Sequence, residues 1–547
     1  MIRKLETGEI QNRTVVTANK NAVISANKNP KFGNAGNFLI TAMQACEKHP
    51  MLNVSVIDLT TAIGPRSILE TVSVNKDDKN ERGRKKVELN FLAGGEALRR
   101  EGSGLIINCL IPGFIVQGVS KLIQKPILGK DFKRSNLSAV WADSQALDKI
   151  SKYYLKAEGS DEKRIFNTFK NMLSDLTGAD GNVAKNGMTD FSTRIKNIDK
   201  YAQDMTDCVL KNSDNKDLKQ SINKIYTNLV EETHMAEHIK FKGDEKFLNS
   251  NLESLTDDAV RVVRELYKNN IKDADAIVKY ITKAKKLVRA KSLGGMAIVI
   301  PLAISAQPIN RWITRKTAGG MRGAPIYDEF KDKGNRDEEN GVKLSPKEKA
   351  ALLRQKLISI SSMVGVALLS MTRLPNMAML EFRGRFPSMD MARIISTSTF
   401  ASRMGTSEDR HELKLSTVRD ITTFASMYFL GDYVAKAIAT IIEKRNPKIS
   451  LLHRFKEVPK DANIFKKFLN WAKNTSIKSS DELATQKLKN IRSWCHAGNL
   501  AFSLLVLGVV MPLITVSKAR KGRKEDIKNS QNNNEVQILT ENTGKAV

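Results

Sequence analysis

The stretch EETHMAEH, residues 231–238, holds the chain's most metal-like spacing: His234 and His238 lie four apart, with Glu231 three residues before His234. On a helix, side chains four apart share one face, so two imidazoles and a carboxylate could converge on an ion. A second Glu-x-x-His occurs at Glu408–His411, and two such pairs with two further glutamates would suit a di-iron site in a helical bundle. The surroundings speak against it. Glu408–His411 follows a glycine in a polar stretch, and His234 and His238 read as the solvated face of a charged helix. No metal or other cofactor is expected.

Phosphate chemistry has no better footing. No Gly-Lys-Ser/Thr stands at the spacing a phosphate loop needs. The glycine-rich stretches GGEALRREGSG (94–104) and TAGGMRGAP (317–325) lack the strand–turn–helix setting and read as loops. Cys495 and His496 are adjacent, which points them to different helix faces. Cys46, Cys109, Cys208 and Cys495 are scattered singly, with no C-x-x-C pair, and are expected to be reduced thiols. An enzyme is therefore not the expected class.

One pair invites a different chemistry. ITTFASMYFLGDYVAKAIATII, residues 421–442, is apolar apart from Asp432 and Lys436, acid four residues before base. On a helix the two can meet on one face. Each ionised group costs roughly 2.5–3.5 kcal/mol at the centre of a bilayer helix, so the pair is expected to turn into a bundle and away from lipid. The alternative is an amphipathic helix at the surface with both charges in water.

The elements that would position these groups are set by uncharged runs. Residues 102–120 and 292–310 are nineteen residues long and 497–517 is twenty-one, while 357–372 is shorter. A hydrocarbon core about 30 Å thick needs roughly 20 helical residues, and soluble core helices rarely stay uncharged so long. Basic clusters abut two of these runs. Lys283, Lys285, Lys286, Arg289 and Lys291 precede 292–310, and Lys518, Arg520, Lys521, Arg523 and Lys524 follow 497–517. Such clusters attract anionic headgroups by about 1 kcal/mol per residue near the surface.

The expected fold is mainly α: a multi-pass helical membrane protein with an inserted soluble helical domain and flexible termini. Residues 1–31 form a flexible N-terminal segment and 32–130 a region holding the first membrane segment. Residues 131–291 form the soluble charged helical domain, and 292–517 the helical membrane region with segments 292–310, 357–372, 421–442 and 497–517. Residues 518–547 are a basic, then disordered tail. Within the soluble domain, Val260, Val263, Leu266, Tyr267, Ile271, Ile277, Val278, Ile281 and Val288 recur at helical spacing. SPKE at 345–348 reads as a capping box opening a helix. The opening residues carry no continuous apolar core, so no cleaved signal peptide is expected.

A net charge of +30 implies an anionic partner. An anionic phospholipid membrane fits the apolar runs, and no specific nucleic acid is expected because the basic stretches lack interleaved aromatics. The expected function is an integral membrane protein for transport, scaffolding or envelope organisation. The alternative is a soluble or peripheral helical protein that binds anionic lipid or nucleic acid through basic faces. With five spans, the positive-inside bias puts the N-terminus in the cytoplasm, on one side with loops 311–356 and 443–496.

Overall fold

The computed structural model describes residues 43–44, 50–79, 85–89, 91–128, 144–179, 195–211, 215–248, 250–318, 346–371, 389–455, 461–515 and 518. These are mainly helical. Four helices are long and apolar enough to cross a membrane: 94–124, 274–317, 346–370 and 486–515. Residues 421–442 are not among them, because Asp432 and Lys436 dilute that run. The flexible N-terminal segment, Ser345 of the capping box, TAGGMRGAP beyond Ala318, and Arg520, Lys521, Arg523 and Lys524 lie outside the described residues.

Two bodies of helices share one long element. The first helix, α1 (residues 50–71), contains a π turn at Asp58–Ile63. A hairpin of β1 (Val72–Lys79) and β2 (Lys85–Leu89) joins it to α2 (residues 91–128). The helical body follows: α3 (Ser144–Lys156), α4 (Asp161–Ser174), α5 (Ile198–Leu210), α6 (Asn215–Thr233) and α7 (Leu252–Lys268). A two-residue pairing of β3 (Leu176–Thr177) with β4 (Lys240–Phe241) ties α4 to the segment after α6.

The core of this body is aliphatic and aromatic, with Leu147, Ile150, Ile165, Phe169, Leu229, Leu255 and Val263 fully enclosed. The apolar stripe of 260–288 is real but not one helix. Asn270 takes the left-handed conformation (φ 50°) and breaks the register between Lys268 and Ala274. Val260, Val263, Leu266, Ile277, Ile281 and Val288 still reach the core, whereas Tyr267 and Val278 turn outward.

The long element is α8 (Ala274–Ala318), 45 residues without interruption, or about 68 Å at 1.5 Å per residue. Ile277, Tyr280, Ile281, Ala284 and Val288 complete the helical body's core. Further along, Met296 and Val299 join Val116, Met391 and Ile395 in a second, separate core. One helix therefore belongs to both bodies, and the boundary expected at 291 falls in its middle.

The second body is an antiparallel stack. It adds α9 (Pro346–Ser370), α10 (Met389–Gly405), α11 (residues 410–445, with a π turn at Ser426–Leu430) and α13 (residues 486–515). Between the last two lie β5 (Leu452–Arg454), α12 (Ile464–Asn474) and β6 (Thr475–Ile477), the strands paired with each other. Register is fixed by contacts at two levels. Asn310 of α8 bonds Ser103 of α2 at one end. At the other, Gly295 lies so close to Val116 that a β-carbon there would collide with the valine methyl. Small residues let helix backbones approach this closely.

This layering has two ends. The helical body sits at the 120–128/283–292 end. The 480–482 turn is at that end too, because Tyr226 Oη donates to Asp481 (3.1 Å) and the Glu237 amide to Glu482 (3.0 Å). Gln44 bonds Ser493 there as well. Residues 443–496 therefore stand at the opposite end of α8 from 311–318. The five-span sequence reading had put 311–356 and 443–496 together. The difference arises because α10 crosses back through the stack and changes the parity of everything after it.

Candidate functional site

At the end of the stack away from the helical body, four helices converge their charges on one carboxylate. Glu101 of α2 receives Arg66 of α1 (2.9 Å), Arg403 of α10 (3.1 Å) and Arg419 of α11 (3.5 Å). Asp420 stands next to it, accepting from Arg403 Nη1 and Arg419 Nε, both at 2.9 Å through Oδ1. Arg66 also reaches Glu70 one turn along its own helix (2.7 Å). Arg403 and Asp420 are 5% and 1% exposed, so these are ion pairs taken out of water. Such pairs hold only where geometry is good and the remaining protons and lone pairs are met.

A second set of bonds extends the network to α8. Arg99 binds Glu96 three residues earlier and Asn310 Oδ1 (2.7 Å), and Thr314 joins Glu96. Arg311 pairs with Glu408 (3.0 Å) and with Glu412, and Arg315 with Glu408 (2.5 Å). Asp409 accepts from the Glu412 amide as N-cap of α11, which fixes the entry of that helix into the network. The Glu408–His411 motif thus lends its glutamate to arginines.

The Glu101 cluster forms one wall of a cleft with about 840 Å³ of free space, part of it open to solvent. Asp58, Arg66, Glu101, Arg403, Arg419 and Asp420 supply the charged end. Leu105, Cys109, Phe400, Met427, Leu507 and Met511 supply an apolar depth. Two hydroxyl contacts line the transition: Thr399 donates to Asn108 Oδ1 (2.8 Å), and Ser396 and Tyr428 share a 2.7 Å bond. Among the described residues, Arg403 Nε and Asp420 Oδ2 make no hydrogen bond although both are buried. A spare donor and a spare acceptor therefore belong to two residues that line the cleft.

No protein-family model, curated protein or solved structure matches this chain.

The residues singled out from the sequence fall elsewhere. GGEALRREGSG, expected as a loop, is helical within α2 and carries Glu96, Arg99 and Glu101. Lys436 does not turn to Asp432. Its ammonium donates to the carbonyls of Trp471 (3.4 Å), Ala472 (2.9 Å) and Thr475 (3.0 Å), capping the C-terminal end of α12. It also lies 4.8 Å from the ring centroids of both Tyr433 and Trp471, while Asp432 is exposed. Of the basic flank, Lys286, Arg289 and Lys518 are exposed, Lys283 is half-buried, Lys285 pairs with Asp148 (2.7 Å), and Lys291 is buried.

EETHMAEH is not a helix face either. α6 ends at Thr233, and His234 and His238 both adopt left-handed backbone (φ 52° and 53°), which separates them. His238 instead packs on Phe455 (4.8 Å), Phe247 (5.8 Å) and His453 (5.7 Å). His453 Nε2 is 3.0 Å from Glu482, whose carboxylate also accepts the amides of Ser479 (2.8 Å) and Glu237 (3.0 Å). Burial pushes the Glu482 carboxyl up, but the His453 contact and the two amides outweigh it and hold the group below the usual carboxylate range. This cluster docks the 443–496 segment onto the helical body.

The Glu101 network escaped sequence reading because its partners are 35 and 302 residues away. One local signal existed: RRE stands directly before the uncharged run 102–120.

Proposed function

We propose that this chain is a multi-pass integral membrane protein. The helical body, N-terminus and residues 443–496 lie on the cytoplasmic side, and the Glu101 cleft lies near the opposite face. One observation carries the reading. In the helical body from 144 to 288, only Tyr267 and Val278 among the described large apolar residues are exposed. The stack, by contrast, leaves Phe114, Leu122, Leu293, Ile298, Leu357, Leu369, Leu505 and Leu513 uncovered along its four apolar helices. A soluble protein rarely leaves so large a contiguous apolar surface bare. Lipid covers it at no cost.

Exposed Lys286 and Arg289 at the body's end supply the headgroup contacts, and they favour the cytoplasmic orientation under the positive-inside bias. The cluster from Lys518 onward opposes that bias. Of the roles open to such a protein, the cleft supports holding a small polar or amphiphilic solute, as in transport: it joins a balanced charged end to an apolar depth within the stack.

The deciding experiment is extraction. After high-salt and alkaline carbonate washes, the protein should remain in the membrane pellet, and release into the supernatant would refute the reading in favour of a peripheral protein. A cysteine placed near residue 330 should label from outside the cell, and labelling only after permeabilisation would reverse the orientation.

A further inference from the structure

Helix α12 is amphipathic, and among the described residues its apolar face is covered only around Trp471, which packs on α11. At 100° per residue, Ile464, Phe465, Phe468, Leu469, Trp471 and Ala472 fall on one arc and Lys466, Lys467, Asn470, Lys473 and Asn474 on the other. None of its residues is buried, and Ile464, Phe465 and Phe468 are 86%, 67% and 57% exposed. From 462 to 480 the chain contains lysines but no acid.

The depth of α12 in the stack is fixed by its attachments. Gly431 of α11 packs against Asn499, two residues into the uncharged run that begins at 497. Lys436, which caps α12, lies five residues further toward the helical body, or about 7.5 Å along the axis. Asn499 is itself about 3 Å inside the run, so Lys436 lies about 4.5 Å beyond its start, within a headgroup zone roughly 5–8 Å thick on each side of the hydrocarbon core. Trp471 donates to Thr440 (2.9 Å) and stacks near Tyr433 (6.0 Å), with Phe468 beside it (5.8 Å). Aromatic rings with a polar edge collect at this depth.

We propose that α12 lies in the membrane interface on the body side, with Ile464, Phe465 and Phe468 in the acyl boundary and Lys466, Lys467 and Lys473 against anionic headgroups. Helices of this composition bind in the interface plane through buried apolar area plus attraction to anionic lipid. Lys436 acts as the tether that holds the helix at that level. This rests on the membrane reading above, and the experiment separates the two.

The test places the photocrosslinking amino acid benzoylphenylalanine at Phe465 in the full chain, reconstituted in vesicles of phosphatidylcholine and phosphatidylglycerol. Position 467 on the polar face and position 505 on a bare apolar helix serve as comparisons. Phospholipid adducts, read by mass spectrometry, are expected at 465 and 505 and only weakly at 467. Adducts at 465 should fall severalfold in phosphatidylcholine alone, while those at 505 should not change. Lipid adducts at 505 with none at 465, or chain–chain adducts at 465, would overturn the interfacial helix while leaving the membrane reading intact. Equal lipid adducts at 465 in both kinds of vesicle would remove the anionic component of the proposal. Absence of lipid at both positions would remove the membrane reading and this proposal together.

Discussion

Single side chains in this protein are held by partners that their sequence neighbours do not reveal. Asp420 serves both Arg403 and Arg419 while nearly sealed from solvent. Asp420→Ala should therefore destabilise the protein by about 3–5 kcal/mol by stranding buried guanidinium groups. Asp420→Asn should cost less, and thermal unfolding in detergent would rank the two. Equal stability of Asp420→Ala and wild type would mean the network is dispensable. Lys436 and Asp432 make a contrasting pair. Lys436→Ala removes three bonds to the carbonyl end of α12 and should cost about 1–3 kcal/mol. Asp432→Ala leaves those bonds in place and should cost less than Lys436→Ala. If the two substitutions behave alike, Lys436 is not a cap. Glu482 gives a pH signature. Its carboxyl is held below the unfolded value, so its contribution is present above about pH 4.3 and is lost as the pH falls through the lower folded value. Protection factors for amide exchange over 476–484, corrected for the intrinsic pH dependence of exchange, should fall in acid in the wild type. Glu482→Gln should already be loose at neutral pH, and its protection should depend far less on acid.

Helices and their contacts are where sequence and structure agree best and where they part. The runs 102–120, 292–310, 357–372 and 497–517 were legible because length without charge is a local property, and helices hold 102–120, 292–310, 357–370 and 497–515 of them. What was not legible is how the helices meet. Gly295 illustrates this, for its value is the absence of a side chain opposite Val116, a residue 179 positions earlier. Gly295→Ala should destabilise the α2–α8 contact by about 1–3 kcal/mol through overpacking. Gly295→Ala combined with Val116→Ala should recover part of that loss, since the second change removes the colliding methyl. No recovery would place the effect elsewhere. The glycines of GGEALRREGSG suggested a loop because glycine weakens a helix, yet Gly94 packs against Thr71 of α1, while a β-carbon at Gly95, Gly102 or Gly104 would meet open space. Likewise the spacing of Asp432 and Lys436 permits a pair on one helix face. It carries no information about α12, whose carbonyl end offers the ammonium three acceptors at once.

At the scale of the whole molecule, the mainly helical character and the four long apolar helices could be read from composition, and the charged cleft could not. The cleft exists only because α1, α2, α10 and α11 bring Arg66, Glu101, Arg403 and Asp420 from distant parts of the chain to one level. α8 adds a mechanical consequence. It is a single helix, rooted in the helical body by Tyr280 and Ile281 and in the charged network by Asn310 and Arg311. Pro301 lies between the Gly295 crossing and the charged network and removes one internal hydrogen bond from the helix, so bending concentrates there. A tilt of the body end that passes Pro301 would displace the Arg311 and Arg99 contacts, and one absorbed at Pro301 would leave them in place.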